Sequence, residues 1–130
     1  MDATVLLCDW AEAIQGKLYA QGIGWRRIKA NTPGAIAVGI LIGVPYDQTN
    51  SPHTAQVKLL TEDGQPWPTE QGAEFGFKFE VGRPPGMKKG EEQSVVFAAQ
   101  LQGIQFDAGS YSFHLLIDEE PVTTAGFTAA

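Results

Sequence analysis

Short runs of strict apolar–polar alternation, cut at close intervals by glycine and proline, constrain this chain more than any other feature. Fifteen glycines and eight prolines are spread along 130 residues. Side chains two apart share a face of a strand, so such runs read as half-buried β-strands. Many short strands between turn signals predict an all-β sandwich or barrel. No long stretch keeps its apolar positions at helical spacing. The best helical candidate, Asp9 to Gln15, is short.

The clearest run is Phe75 to Val81, with Phe75, Phe77, Phe79 and Val81 on one face and Gly76, Lys78 and Glu80 on the other. Tyr111 to Asp118 repeats the pattern. Ile36, Val38, Ile40, Ile42 and Val44 do the same in a central run. Their alternate partners, Leu41 apart, are small, which predicts a central strand covered on both sides. Gln56 to Thr61, Ser94 to Leu101 and Val122 to Thr128 are further strands. Thr4 to Trp10 and Lys17 to Gly22 are expected to pair across a turn at Gln15-Gly16. Glu62 to Gln65 and Asp118 to Pro121 read as tight turns, and Gly22-Ile23-Gly24 as a bend. Arg83 to Gly90 and Tyr46 to His53 are loops. Trp10 is expected in the core.

Asp107-Ala108-Gly109-Ser110-Tyr111 resembles the tyrosine corner of immunoglobulin-like sandwiches, with Asp107, Gly109 and Tyr111 as its structural residues. Phe113 stands where antibody domains place their second cysteine. The expected architecture is an immunoglobulin-like antiparallel β-sandwich of seven to nine strands, one domain over residues 1–130. With 43% hydrophobic and 18% charged residues, the chain is too apolar for disorder.

Charge narrows the partners. Nine Lys and Arg against fifteen Asp and Glu leave a net charge of −6. Phosphate neutralisation needs the opposite balance, so neither nucleic acid nor an anionic membrane is an expected partner. No basic leader precedes an apolar segment, and the longest uncharged apolar run, Ala35 to Val44, is too short for a membrane helix. The expected location is the cytoplasm or an assembled particle. Cys8 is the single cysteine, so an intrachain disulfide is excluded. Its apolar surroundings predict a buried, inert thiol.

The motifs of catalysis are missing. His53 and His114 lie far apart, with Cys8 alone to join them, so no metal site and no cofactor are expected. Each reads as a surface or satisfied histidine, His53 in a loop and His114 facing away from the core. No Gly-x-Ser-x-Gly elbow occurs, and Gly22-Ile23-Gly24 lacks the rest of a phosphate loop. Glu91-Glu92 and Glu119-Glu120 fall in turns, where carboxylates are solvated. Loop aromatics beside Pro or Arg are residue types that anchor interfaces. Trp25, Arg26, Arg27, Tyr46 and Trp67 are therefore the candidate interface.

Several short stretches resemble a family of small bacterial and bacteriophage domains whose function is not established. They are Cys8-Asp9-Trp10-Ala11, Gly16-Lys17-Leu18-Tyr19, Gly24-Trp25 and Val44-Pro45-Tyr46-Asp47-Gln48-Thr49-Asn50 with His53. Phe79-Glu80-Val81-Gly82-Arg83-Pro84-Pro85-Gly86, Gly109-Ser110-Tyr111 and Ile117-Asp118 continue the match. The resemblance covers nearly the whole chain. It implies a β-sandwich and assigns no catalytic residue. The expected function is a non-enzymatic structural or protein-binding sandwich, with partners that are other proteins or copies of itself. More narrowly, it is a small phage virion component such as a head-decoration, minor capsid or tail protein. A carbohydrate- or small-ligand-binding module is the competing expectation, favoured if Trp25, Tyr46 and Trp67 line one groove; an uncharacterised bacterial cytoplasmic protein is another. An enzyme of unrecognised type would need two carboxylates in a concave site, or His114 bonded to an acid.

Overall fold

The computed structural model describes residues 1–67 and 74–130. Pro68, one of the two prolines flanking Trp67, lies outside the described residues. The chain is all-β. Its strands are β1 (Asp2–Cys8), β2 (Trp10–Ile14), β3 (Lys17–Gln21), β4 (Arg27–Ile28), β5 (Gly34–Pro45), β6 (His53–Thr61), β7 (Glu74–Phe79), β8 (Glu92–Ile104), β9 (Gly109–Ile117) and β10 (Glu120–Ala129). One turn of 3₁₀-helix, Tyr46–Gln48, follows β5.

Two sheets face each other. One has the order β1-β5-β8 and the other β4-β10-β9-β6-β7. All pairs are antiparallel except β4, which runs parallel to β10. Lettering β1, β5, β6, β7, β8, β9 and β10 as A, B, C, C′, E, F and G gives A-B-E opposite G-F-C-C′. Immunoglobulin-type sandwiches use this order, with a strand D that is missing among the described residues.

Alternation decides what fills the gap between the sheets. Ile36, Val38, Ile40, Ile42 and Val44 of β5 are buried against Ala55, Val57 and Leu59 of β6 and Phe113, Leu115 and Ile117 of β9. At the open edge, Phe77 of β7 stacks on Phe97 of β8 with centroids 4.1 Å apart, tying the two sheets together. At the other end Trp25, Trp67, Phe106, Tyr111 and Phe127 pack ring on ring. Tyr111 Oη donates to the Asp107 carbonyl at 2.8 Å, fixing the entry to β9.

Three expectations from the sequence need correction, and its one short helical candidate is a strand. Asp9 to Gln15 is not helical, since Trp10–Ile14 is β2. Its alternation of Ala with larger residues suits a strand lying on a sheet. The partner of β3 is β2 rather than Thr4 to Trp10, because the chain bends at Asp9 and sends β1 to β5. Trp10 is not core but 37% exposed. His53 is not in a loop; it opens β6 and points inward, in line with Ala55 and Val57.

β5 is central in its sheet, and its outer face is covered only in part. The β2–β3 hairpin lies over Ala37 and Gly39, while Ala35 and Leu41 stay exposed.

Candidate functional site

Two places combine shape with chemistry: the outward face of the hairpin and a polar network at one end of the sandwich.

The hairpin turns at Gln15 and Gly16, whose φ values of 50° and 75° suit a two-residue type I′ turn. Residues paired across the two strands share a face. Ala11 opposite Ala20 and Ala13 opposite Leu18 look toward the sheet. Beneath them Cys8, Ala37 and Ala98 form a floor of small side chains. Gly39 completes it; a methyl there would come within 2.9 Å of Leu18 Cδ2. Gln100 Nε2 donates to the Ala11 carbonyl at 3.1 Å and pins the hairpin laterally. Cys8 is fully buried, and burial pushes its thiol pKa up. The opposite face carries Trp10, Glu12, Ile14, Lys17, Tyr19 and Gln21. Of these, Trp10 is 37%, Ile14 41% and Tyr19 50% exposed. Tyr19 sits opposite Glu12, hence diagonally between Trp10 and Ile14. Three large apolar side chains thus share one solvent-facing surface.

The network gathers segments distant in sequence. Thr49 is buried, and its hydroxyl donates to the Tyr46 carbonyl at 2.8 Å. Arg83 Nε donates to Thr49 Oγ1 at 2.9 Å and a terminal nitrogen to the Tyr46 carbonyl at 2.8 Å. The same guanidinium lies 3.7 Å from the centroid of the Tyr46 ring. Asn50 N–H donates to the Val81 carbonyl at 2.7 Å. On the other side of this loop, His53 is 8% exposed and packs 5.4 Å from Phe79. Its Nδ1 is 2.7 Å from Asp118 Oδ2, and its Nε2 is 2.8 Å from the Gln48 carbonyl. Asp118 Oδ1 accepts from Thr54 N–H at 3.0 Å, and Asp118 N–H donates to the Thr54 carbonyl.

Asp118 and Glu119 form the β9–β10 turn with φ of 51° and 70°. That left-handed turn brings the carboxylate back over β6. Burial draws the His53 pKa down, but the Gln48 carbonyl and the bond and charge of Asp118, with Glu80 beyond, outweigh it and hold the pKa above its ordinary value. For Asp118, burial pushes up; the Thr54 amide and His53 prevail and hold it below the ordinary carboxylate value. A polar cleft of about 530 Å³ opens beside Gln48 and Asp118, bordered by Met1 and Glu120.

The residues singled out in the sequence are not assembled into one surface. Trp25 is half-buried, edge-on to Phe127 at 5.2 Å. Its buried Nε1 finds no partner among the described residues. Arg26 and Arg27 are exposed beside it. Trp67 stacks on Phe106 at 4.4 Å. Phe106 and Phe127 connect the two tryptophans within one packed cluster. Tyr46 stands apart, under Arg83. The three rings therefore share no open groove. His114 faces outward and lies 2.7 Å from Ser112 Oγ, its neighbour two residues away on β9. No group of His, Cys, Asp and Glu able to hold a metal occurs among the described residues. Nor, among them, is any helix long and apolar enough to cross a membrane.

The hairpin face escaped the sequence reading although Trp10-x-Glu12-x-Ile14 and Lys17-x-Tyr19-x-Gln21 alternate as strands do. The His53–Asp118 contact carried no local sequence signal at all.

No curated protein and no solved structure matches the sequence. A family model matches residues 3–130, almost the entire chain. The protein belongs to that family, DUF6941, a family of unknown function.

Proposed function

We propose that the protein is a non-enzymatic, protein-binding β-domain that docks through the outward face of the β2–β3 hairpin. The observation that carries this reading is the clustering of exposed Trp10, Ile14 and Tyr19 on that one face. Large aromatic side chains are among the residues that dominate binding energy when a partner covers them. The histidines elsewhere in the fold support a structural role. Both ring nitrogens of His53 are committed to groups of the fold, the Asp118 carboxylate and the Gln48 carbonyl. His114 is bonded to Ser112, with no acid bonded to it among the described residues.

The narrower reading is a small structural component of a phage particle: a head-decoration, minor capsid or tail protein. The resemblance to bacteriophage domains supports it, as does an acidic surface that favours protein over nucleic acid.

A photo-crosslinking residue at position 12, opposite Tyr19 on the same face, tests the docking face in cells that make the protein. One protein species is expected to be captured, and the pair Trp10→Ser and Tyr19→Ser should abolish capture without unfolding the chain. Equal capture from position 58, on the outer face of the other sheet, would sink the reading. For the narrower proposal, gradient-purified particles are expected to contain the chain in fixed ratio to the major capsid or tail protein. Its absence from intact particles would exclude that role.

A further inference from the structure

We infer that His53 is a proton-operated clamp: as the imidazolium it ties the loop after β5 to the β9–β10 turn, and on losing its proton it releases the loop at Gln48. The geometry requires this. Both partners of the ring, the Asp118 carboxylate and the Gln48 carbonyl, are acceptors. Neutral imidazole donates from one nitrogen only, so only the doubly protonated ring satisfies both. At 8% exposure, with Phe79 against its face, the ring has little room for water to make up the loss.

The charged groups around it are arranged for a cation. Asp118 reaches it from the β9–β10 turn and Glu80 from the end of β7. Within the loop, Asp47 is exposed and adjoins Gln48. The Arg83 guanidinium is committed to the loop's opposite side, on Tyr46 and Thr49. Met1 borders the cleft shared with Gln48, Asp118 and Glu120.

When the proton leaves, the remaining N–H stays with the carboxylate, the stronger acceptor. The Nε2 lone pair then faces the Gln48 carbonyl oxygen, and the contact becomes repulsive. The rest of the loop keeps its anchors: Arg83 on Tyr46 and Thr49, and Asn50 on Val81. Release is therefore confined to Gln48 and widens the adjoining cleft.

Heteronuclear NMR of the wild-type chain tests this, with the imidazole nitrogens and the loop amides followed as the pH is raised. At pH 6 both His53 nitrogens are expected to carry protons. Its titration midpoint should lie above the ordinary value of about 6.5. The Gln48 and Thr49 amides should shift with that same midpoint. Asp118→Asn should lower the midpoint. A single neutral tautomer at pH 6, a midpoint at or below the ordinary value, or loop amides that ignore the transition would each overturn the inference. Should Asp118→Asn fail to fold, the wild-type titration decides alone.

Discussion

Gly39 has no side chain because Leu18 occupies the space above it. A Cβ there would meet Leu18 Cδ2 at 2.9 Å. Gly39→Val is therefore expected to lift the hairpin while leaving the sandwich folded. Loss of Trp10 and Tyr19 near-ultraviolet ellipticity, with far-ultraviolet strand signal retained, would report it. A second residue-scale prediction concerns Tyr111, which is nearly buried and donates one hydrogen bond to the Asp107 carbonyl. Tyr111→Phe removes that bond and should cost about 1 kcal/mol in denaturant unfolding. An unchanged midpoint would mean that the corner contributes nothing to stability.

Strands carry their core residues unequally. Phe113, fully buried at the middle of β9, should cost roughly 3–5 kcal/mol when truncated to alanine. Phe77 on the edge strand β7 is half-buried and stacks on Phe97 alone at close range. Its truncation should cost measurably less than that of Phe113, and urea melts of the two variants would rank them.

The same contrast explains what was legible in the sequence. β5, β9 and the face of β7 could be read because burial on one side imposes a period of two. The sequence pattern marks β6 from Gln56 onward, but its first inward residue is a histidine, and a polar residue at an apolar register position hides His53 to Ala55. The turn at Gln15-Gly16 could be read, whereas the bend at Asp9 could not. A single bend there decides whether the first strand feeds the hairpin or the sheet. Residue type alone points Trp10 to the core. Its exposure follows from the small residues on the facing side of the hairpin, Ala11 and Ala20, which take the buried positions instead. Pairings such as His53 with Asp118 join residues brought close only by the order of strands.

Across the molecule, two titrations set a window of stability. His53 has a raised pKa in the fold, so its contribution is complete below its unfolded value of about 6.5 and is lost as pH rises through the folded value. Asp118 has a lowered pKa, so its contribution is present above about 3.8 and is lost as pH falls through the folded value. Thermal melts across pH should therefore fall away on both sides of a plateau between these limits. Asp118→Asn should flatten both limbs. A wild-type profile that is level from acid to mildly alkaline pH would contradict the pairing.

The floor beneath the hairpin has another consequence. Ala37, Gly39 and Ala98 give it a flat seat with little interlocking, and Leu18 is the one large side chain that the hairpin itself presses onto it. So little apolar area holds this flap that it will breathe on its own. Deuterium should enter the amides of β2 and β3 long before those of β5 and β9, by sub-global opening rather than by unfolding of the whole. The surface most ready to meet another protein is then also the part of the chain that can most cheaply change its shape to do so.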